Sequence, residues 1–158
     1  MAQQHLIYHV SQIVQQDMNY CWACAFAMLL GRHSWDAALQ IADSVPASAR
    51  DLSSGALLQV RTAASALGFR SSPAAGLTPQ MLAAKMRSGA VGVFGRYRTT
   101  NTTGGHVTVV SRFVGDDADP SSVQLTVHDP RGGSAWTGPW SGFSGPALTS
   151  ADYIVGHW

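Results

Sequence analysis

The sequence predicts an α+β fold, with helices first and an antiparallel sheet after them. Helix-like apolar spacing continues as far as Gly89, and segments rich in Val, Tyr and Phe follow it, separated by glycines and polar residues. A parallel sheet would need strands and helices to alternate along the chain, which this order does not show. The chain has 158 residues, enough for one core but few for two ordinary domains, so we expect one domain over residues 1–158.

The elements of the first half are predicted from apolar spacing and from the residues at their ends. We expect a strand over residues 6–10 and helices over residues 20–30, 34–41, 53–67 and 78–88. Glycines follow three of these helices, and Thr78-Pro79 begins the last. Residues 20–30 are apolar on every face, which predicts that this helix is buried at the centre of the fold. Asp17 or Asn19 is expected to cap it.

The second half predicts strands and loops. The strands are expected over residues 91–97, 106–114 and 123–127, with a last short strand over residues 152–155. Residues 132–146 are rich in Gly, Ser, Pro and Trp and predict loops and short hairpins. Residues 99–105 are polar and glycine-rich, and they predict a surface loop or a loop that closes over a cleft.

The composition excludes several kinds of site. All nine acidic residues are Asp, so the chain lacks the Glu of a His-Glu-x-x-His metal helix and a Glu pair for glycosidic cleavage. The only lysine, Lys85, follows Ala84 and not a glycine-rich phosphate loop. A formal net charge of +1 offers no broad field for nucleic acid or an anionic membrane, so we expect neither as a partner. No cofactor is expected.

The sequence shows neither a targeting segment nor a membrane span. Residues 1–10 contain no charged start followed by an apolar stretch, so no signal peptide is predicted. The longest apolar run, residues 21–30, is shorter than the ~20 residues that cross a membrane. Two cysteines three positions apart suit a reducing compartment, in which a thiolate stays active.

The run from Gln15 to Cys24 has the composition of a thiol nucleophile and its oxyanion donor. Cys21 opens the apolar helix, and a helix N-terminus carries unpaired N–H groups and partial positive charge that favour a thiolate. Gln15 lies six residues ahead of Cys21, from where its amide can fold back and donate to the oxyanion formed when a carbonyl is attacked. Gln16, five residues ahead, is the alternative donor.

His106 is the candidate partner of the thiol among six histidines. It follows Gly105 at the start of a predicted strand, where little side-chain bulk surrounds the ring. If Val114 pairs with residue 121 or 122 of the next strand, His106 lies opposite Asp129 or residue 130. Directly opposed residues share a face with Cβ atoms about 5 Å apart, so the carboxylate can hold the imidazole. A slip of one residue would turn the two side chains to opposite faces.

These residues occur in the order of the papain-like cysteine peptidases. The runs Gln15-Gln16-x-x-x-x-Cys21-Trp22-Ala23, Gly105-His106 before alternating valines, and Val127-x-Asp129-Pro130 resemble the compact bacterial C39-like and AvrRpt2-like (C70) groups. The resemblance covers roughly residues 15–131 and implies a papain-like fold, with N-terminal helices and a buried nucleophile helix packed on a C-terminal antiparallel sheet. The roles that it implies are Cys21 as nucleophile, His106 as general base, Asp129 as the residue that orients the imidazole and Gln15 as oxyanion donor. Papain itself has Asn in the orienting role.

The same resemblance implies a protein or peptide substrate. Trp22 and Gly105, next to the nucleophile and the base, are predicted to bind it, and Trp136 and Trp140 are predicted to wall the cleft. Core packing of a hairpin is the alternative for the last two. The groups include leader peptidases, effectors injected into host cells and antibacterial toxin domains. We therefore expect an effector or toxin domain, exported by a fused carrier or a dedicated secretion system, that acts in the target-cell cytoplasm. An antibacterial toxin would need an immunity protein as its inhibitor.

Three other functions remain open at this point. Cys21-x-x-Cys24 at a helix start is the spacing of a thiol oxidoreductase, although the alternating strands and helices of a thioredoxin fold are missing, and Cys24 is otherwise a small core residue. A peptidoglycan amidase that resembles papain also joins a helix-start Cys to a Gly-His-Val strand. A binding module without chemistry would leave these residues in its core. The two cysteines have no second chelating pair, so no metal site is expected.

Overall fold

The computed structural model describes residues 3–97, 105–144 and 148–158. The strands are β1 (Gln3–Ile7), β2 (Arg70–Pro73), β3 (Val91–Tyr97), β4 (His106–Asp116), β5 (Gln124–His128), β6 (Trp136–Pro139) and β7 (Leu148–Gly156). The helices are α1 (Cys21–Leu29), α2 (Trp35–Ser44), α3 (Val60–Ala66), α4 (Pro79–Lys85) and the single turn α5 (Trp140–Gly142). The predicted α+β fold is confirmed.

The described strands form one antiparallel sheet. Its order is β2-β7-β3-β4-β5-β6, and β1 pairs with the long strand β4. β3 covers residues 106–110 of β4, and β1 covers residues 112–116, so the two short strands share one edge of β4. β1 begins and ends earlier than the predicted strand over residues 6–10. β2 has no apolar alternation in its sequence Arg-Ser-Ser-Pro, and the sequence does not predict it.

Each face of the sheet covers an apolar core. Val93 and Phe94, successive residues of β3, belong to different cores, because neighbours along a strand point to opposite faces. The first core contains α1 together with Val107 and Val109 of β4. The second contains Leu82 of α4 and the side chains of β3, β4 and β5 that point to that face. Both halves of the chain therefore contribute to burying the sheet.

Helix α1 is buried over its whole length, as the sequence predicts. All nine of its residues are buried, and Phe26 packs against the rings of Phe69 and Phe94 at 5.4 and 5.7 Å between centroids. Burying such a side chain contributes about 1.5–3 kcal/mol relative to leaving it exposed. Gly31 ends the helix region with a φ of 74°, a left-handed conformation that favours glycine. The first residue of α1 is thus held rigidly against β4.

Two predictions about helix starts are wrong. Neither Asp17 nor Asn19 caps α1; Tyr20 occupies the N-cap position, and the Asp17 carboxylate accepts instead from the backbone N–H of Asn19. The helix predicted over residues 53–67 begins only at Val60. The Asp51 carboxylate accepts from the N–H and hydroxyl of Ser53, which holds these residues in a turn.

The predicted register of the β4–β5 hairpin is also wrong. Val114 pairs with Gln124 and not with residue 121 or 122, because residues 120–122 form a short 3₁₀ helix in the connection. A β-bulge between Val110 and Arg112 shifts the register again, so that Val109 pairs with His128. The bulge keeps Val110 and Phe113 on the same face although three positions separate them, and both lie in the second core.

Two predicted loop regions lie partly outside the described residues. Of residues 99–105, the structure describes only Gly105. Residues 132–146 were predicted to form loops and short hairpins; they contain the short strand β6, which pairs with β5, and the helical turn α5, and residues 145–146 lie outside the described part. The described helices include none with the length and apolar character needed to cross a membrane.

Candidate active site

Cys21 is the first residue of α1 and lines a cavity in the surface. No side chain caps this helix, so its N-terminal N–H groups and partial positive charge act at the position of the thiol. Trp22 fixes the first turn, because its Nε1 donates to the carbonyl oxygen of Gly55 at 2.9 Å and its ring stacks on Tyr20. The thiol is 9% exposed, open to the cavity and otherwise enclosed.

His106 begins β4 and lines the same cavity as Cys21. Its Nε2 lies 2.7 Å from Oδ1 of Asp129. Its Nδ1 is buried without a hydrogen-bond partner among the described residues, so this is the ring nitrogen that remains for the thiol. The ring of Tyr97 packs edge-on against the imidazole at 5.5 Å between centroids. The structure thus brings together the three residues predicted as nucleophile, base and orienting group.

The charges around His106 favour an imidazolium. Burial disfavours the charged ring, but the hydrogen bond to Asp129 and the interactions with Cys21 outweigh burial and raise the pKa of His106 from 6.5 to about 9. Burial also opposes ionisation of Asp129, yet the pKa of this carboxyl is lowered, because His106 and the N–H of Arg131 donate to it. An imidazolium beside a thiolate is the arrangement of an activated cysteine nucleophile.

Gln15 is hydrogen-bonded to the turn that holds Asp129 and does not line the cavity. Its backbone N–H donates to the carbonyl oxygen of Pro130 at 2.7 Å, and its side-chain Nε2 donates to the carbonyl oxygen of Asp17 at 3.1 Å. Gln15 is half-buried and is not among the described residues that line the cavity, whereas Gln16 is exposed. The oxyanion role of Gln15 therefore stays a prediction.

The cavity beside Cys21 and His106 has a volume of about 490 Å³. Much of its lining is apolar and comes from three separated segments, the loop before α3, strand β3 and strand β7. The apolar side chains include those of Leu57, Val60, Phe94, Ala151 and Tyr153. Trp22 and Gly105, both predicted to bind substrate, also line it. A cleft of this size and character suits one or a few side chains of a peptide.

Trp136 and Trp140 are not among the described residues that line this cavity. Trp140 is buried in the second core and packs against Phe143 at 6.1 Å between ring centroids. Trp136 is 40% exposed on β6, where its ring lies over Gly138 and leaves no room for a side chain there. Core packing, the alternative that the sequence left open, describes the position of Trp140. A wall of the substrate cleft formed by these two rings stays a prediction.

Cys24 lies one turn after Cys21 and is fully buried. Burial, together with the charge of Cys21, raises the pKa of the Cys24 thiol to about 12, which keeps it protonated at physiological pH. Both cysteines are free thiols. In the described part of the chain, no group of three or more His, Cys and Asp side chains is placed to hold a metal ion.

The site also depends on residues that the sequence did not single out. Tyr97 supports the imidazole, and its hydroxyl donates to the carbonyl oxygen of Val93 at 2.7 Å. Gly95 pairs with His106 across β3 and β4, at a position where a Cβ would overlap the carbonyl oxygen of Ser150. A lone glycine inside a strand pattern signals close backbone approach, and this was the available clue for Gly95. No sequence pattern indicates that β7 lines the cavity, because its position depends on contacts between segments that are distant along the chain.

The chain matches a known protein family over most of its length. Residues 2–144 match the family described as papain-like cysteine protease AvrRpt2, Peptidase C70. The matched range contains Cys21, His106 and Asp129, and the helices and strands that hold these side chains. No curated protein shows a significant match to the chain.

Proposed function

Because the chain belongs to the C70 family of papain-like cysteine proteases, we propose that it cleaves peptide bonds with Cys21 as nucleophile, His106 as general acid and base, and Asp129 as the orienting group. The observation that carries this assignment is the state of the His106 ring. Nε2 is bound to Asp129 at 2.7 Å, and Nδ1 is buried without another partner among the described residues. A ring held in this way can exchange a proton with Cys21 or the substrate only at Nδ1.

The proposed reaction begins when the Cys21 thiolate attacks the carbonyl carbon of the scissile peptide. The developing oxyanion accepts from the backbone N–H of Cys21 and from the side-chain amide of Gln15, which must first leave the carbonyl oxygen of Asp17. Nδ1 of the imidazolium gives its proton to the leaving amine, and a thioester forms between Cys21 and the acyl part. His106 then removes a proton from water, which attacks the thioester and releases the carboxylic acid and Cys21.

We propose that the substrate is a protein segment bound in an extended form, with an apolar side chain in the cavity. The lining includes the apolar side chains of Leu57, Val60, Phe94 and Tyr153, which supports this assignment. Binding an apolar substrate side chain there would remove its surface and that of the lining from water. The peptide stems of peptidoglycan are rich in carboxylate and amine groups, which the apolar part of this lining does not match. A protease substrate therefore fits the cavity better than an amidase substrate.

We further propose that the chain acts as an effector or toxin domain on proteins of a target cell, in the cytoplasm of that cell. Its sequence motifs resemble those of groups that contain injected effectors and toxin domains, and this resemblance supports the role. Export would then use a fused carrier or a dedicated secretion system. An antibacterial member would be accompanied by an immunity protein, and the mouth of the cavity beside Cys21 is the surface that such an inhibitor would cover.

The test compares new protein N-termini in cell lysates treated with the wild-type chain or with Cys21→Ala. Bacterial and eukaryotic lysates are treated in parallel, together with purified sacculi. We expect cuts that depend on Cys21 and that have an apolar residue near the cleaved bond. Cuts in only one kind of lysate identify the target cell. Solubilised sacculi without new protein N-termini would replace the protease assignment with an amidase one.

A further inference from the structure

A chain of hydrogen bonds joins residue Gln12 to the strand and turn that hold Asp129. Nε2 of Gln12 donates to the carbonyl oxygens of Asp129 and Gly132, at 2.6 and 3.0 Å. Oε1 of Gln12 lies 3.1 Å from Nδ1 of His128, and Nε2 of His128 lies 2.8 Å from Oγ of Ser111. The three side chains thus link β4, β5 and the segment before α1.

The direction of each hydrogen bond follows from the groups present. Gln12 uses its N–H groups on two carbonyl oxygens, so its Oε1 faces His128 and can only accept. Nδ1 of His128 must therefore carry the proton, and Nε2 accepts from the hydroxyl of Ser111. His128 and Ser111 are 6% and 3% exposed. Burial, together with the charge of His9, lowers the pKa of His128, which keeps the ring neutral as this pattern requires.

Ser111 reaches His128 because it lies at the β-bulge of β4. The register of the β4–β5 pair shifts between Val110 and Arg112, which leaves Ser111 as the extra residue. A bulge re-aims the side chain of its extra residue and is often found beside functional sites. Here the bulge points the Ser111 hydroxyl into the interior, beside His128, the residue that precedes Asp129.

The turn after β5 is closed by its own backbone. Residues 129–132 have the Asp-Pro-x-Gly sequence of a type I turn, and the N–H of Gly132 donates to the carbonyl oxygen of Asp129 at 2.9 Å. This bond closes the turn on itself but does not attach it to the rest of the fold. Gln12 and the backbone N–H of Gln15, which donates to Pro130, attach it to the rest of the fold. Both lie on the segment that leads into the nucleophile helix.

We propose that Gln12, held by His128 and Ser111, is a positioning residue that keeps the Asp129 carboxylate in place against His106. The proposal rests on the roles of Asp129 and His106 in the proposed function. Gln12 bonds neither the imidazole nor the carboxylate; it fixes the carbonyl oxygen of Asp129, and the carbonyl carbon is bonded directly to the Cα that carries the carboxylate side chain. Without it, the turn loses two hydrogen bonds to the segment before α1, and the 2.7 Å contact between Asp129 and His106 lengthens.

The test uses Gln12→Met, which keeps the length and much of the volume of the side chain and removes all three hydrogen bonds. Thr137→Val is the matched control, since it removes one hydrogen bond, to Thr126 at 2.9 Å, on the adjacent strand pair β5–β6. The titration of His106 is followed by NMR in a Cys21→Ala background, where Asp129 is the remaining acidic partner of the ring. Steady-state kinetics are measured on variants that retain Cys21.

We expect Gln12→Met to lower the pKa of His106 by about one unit and kcat by about tenfold, with KM within about twofold of the wild type. Thr137→Val should change none of these values. Ser111→Ala is the second variant, in case Gln12→Met fails to fold, and it should act in the same direction with a smaller effect. A pKa of His106 unchanged in both Gln12→Met and Ser111→Ala would overturn the proposal, as would an equal loss of kcat in Thr137→Val.

The experiments distinguish a failure of the proposed function from a failure of the positioning role of Gln12. Cleavage that persists in Cys21→Ala would overturn the proposed function, but the NMR titration would still show whether Gln12 controls the contact between Asp129 and His106. Conversely, an inactive Cys21→Ala together with an unchanged titration in Gln12→Met would support the protease mechanism and overturn the positioning role of Gln12.

Discussion

Nε2 of His106 and Oδ1 of Asp129 lie 2.7 Å apart, at the start of β4 and just after the end of β5. His106 is 2% exposed, so Asp129 and Cys21 act on its ring with little screening by water. This contact explains why a buried ring has a raised pKa, although burial by itself would lower it. It also makes the protonation state of His106 the property that mutations can change most directly.

Activity should fall as the pH rises through about 9, where His106 loses its proton. The folded-state pKa lies above the ordinary value of 6.5, so the same group stabilises the fold fully below pH 6.5 and loses this contribution as the pH rises through about 9. Profiles of kcat/KM and of melting temperature against pH, measured on both sides of this value, should therefore decline together. An alkaline limb of activity close to pH 6.5 would contradict the raised pKa.

Asp129→Asn should move that alkaline limb to lower pH. The amide can still accept a hydrogen bond from Nε2, but it lacks the negative charge that raises the pKa of His106. We expect a loss of about tenfold in kcat/KM at neutral pH, since a charge-assisted hydrogen bond is replaced by a neutral one. Asp152→Asn is a matched control, because this exposed carboxylate lines the same cavity. It should leave the position of the limb unchanged.

The two cysteines should differ in reactivity and in their effect on turnover. Iodoacetamide at neutral pH should label Cys21 alone, because Cys24 is fully buried and its pKa is raised to about 12. Cys21→Ala should abolish cleavage and keep the fold. Cys24→Ala should keep activity and cost about 1 kcal/mol of stability from lost packing. Mass spectrometry of the labelled peptides and a thermal melt measure both effects; loss of activity in both variants would point to thiol redox chemistry.

The sequence predicted the contact between His106 and Asp129 for a partly wrong reason. The hairpin argument placed His106 opposite Asp129 or residue 130, whereas the observed register pairs Val109 with His128. The Asp129 side chain still reaches the ring, because it projects from the turn just beyond the strand. Neither the bulge at Ser111 nor the 3₁₀ turn over residues 120–122 changes the apolar alternation, so the sequence pattern carries no sign of them.

Features defined within a short segment were the most predictable. The buried α1, strand β3 and the start of α4 at Thr78-Pro79 each follow from local spacing or local residue preferences, and all three occur as expected. The walls of the cavity were not predictable in the same way. Tyr153 lines the cavity with Phe94 because the sheet order places β7 next to β3, and no local pattern encodes that order.

Gly95→Ala should impair both stability and activity. A Cβ at this position would overlap the backbone carbonyl oxygen of Ser150, so β3 and β7 would have to separate beside His106. We expect a loss of about 1–3 kcal/mol in the free energy of unfolding, together with a lower kcat. Gly133→Ala is the control, since a Cβ there has no atom within 4 Å. Denaturant unfolding and kcat should be unchanged in the control; equal effects in both variants would contradict the steric argument.

Gln15→Ala tests the oxyanion donor separately from the structure that holds Asp129. Alanine keeps the backbone N–H that donates to Pro130 at 2.7 Å, so the turn stays attached while the side-chain amide is lost. If the amide leaves the carbonyl oxygen of Asp17 to bind the oxyanion, its removal should lower kcat by roughly 100- to 1,000-fold with little change in KM, since the contact exists only in the transition state. Gln16→Ala, at an exposed position, should keep kcat within about twofold. The reverse ranking of the two variants would transfer the oxyanion role to Gln16, and a normal kcat in both would leave the backbone N–H of Cys21 as the donor that the chain supplies.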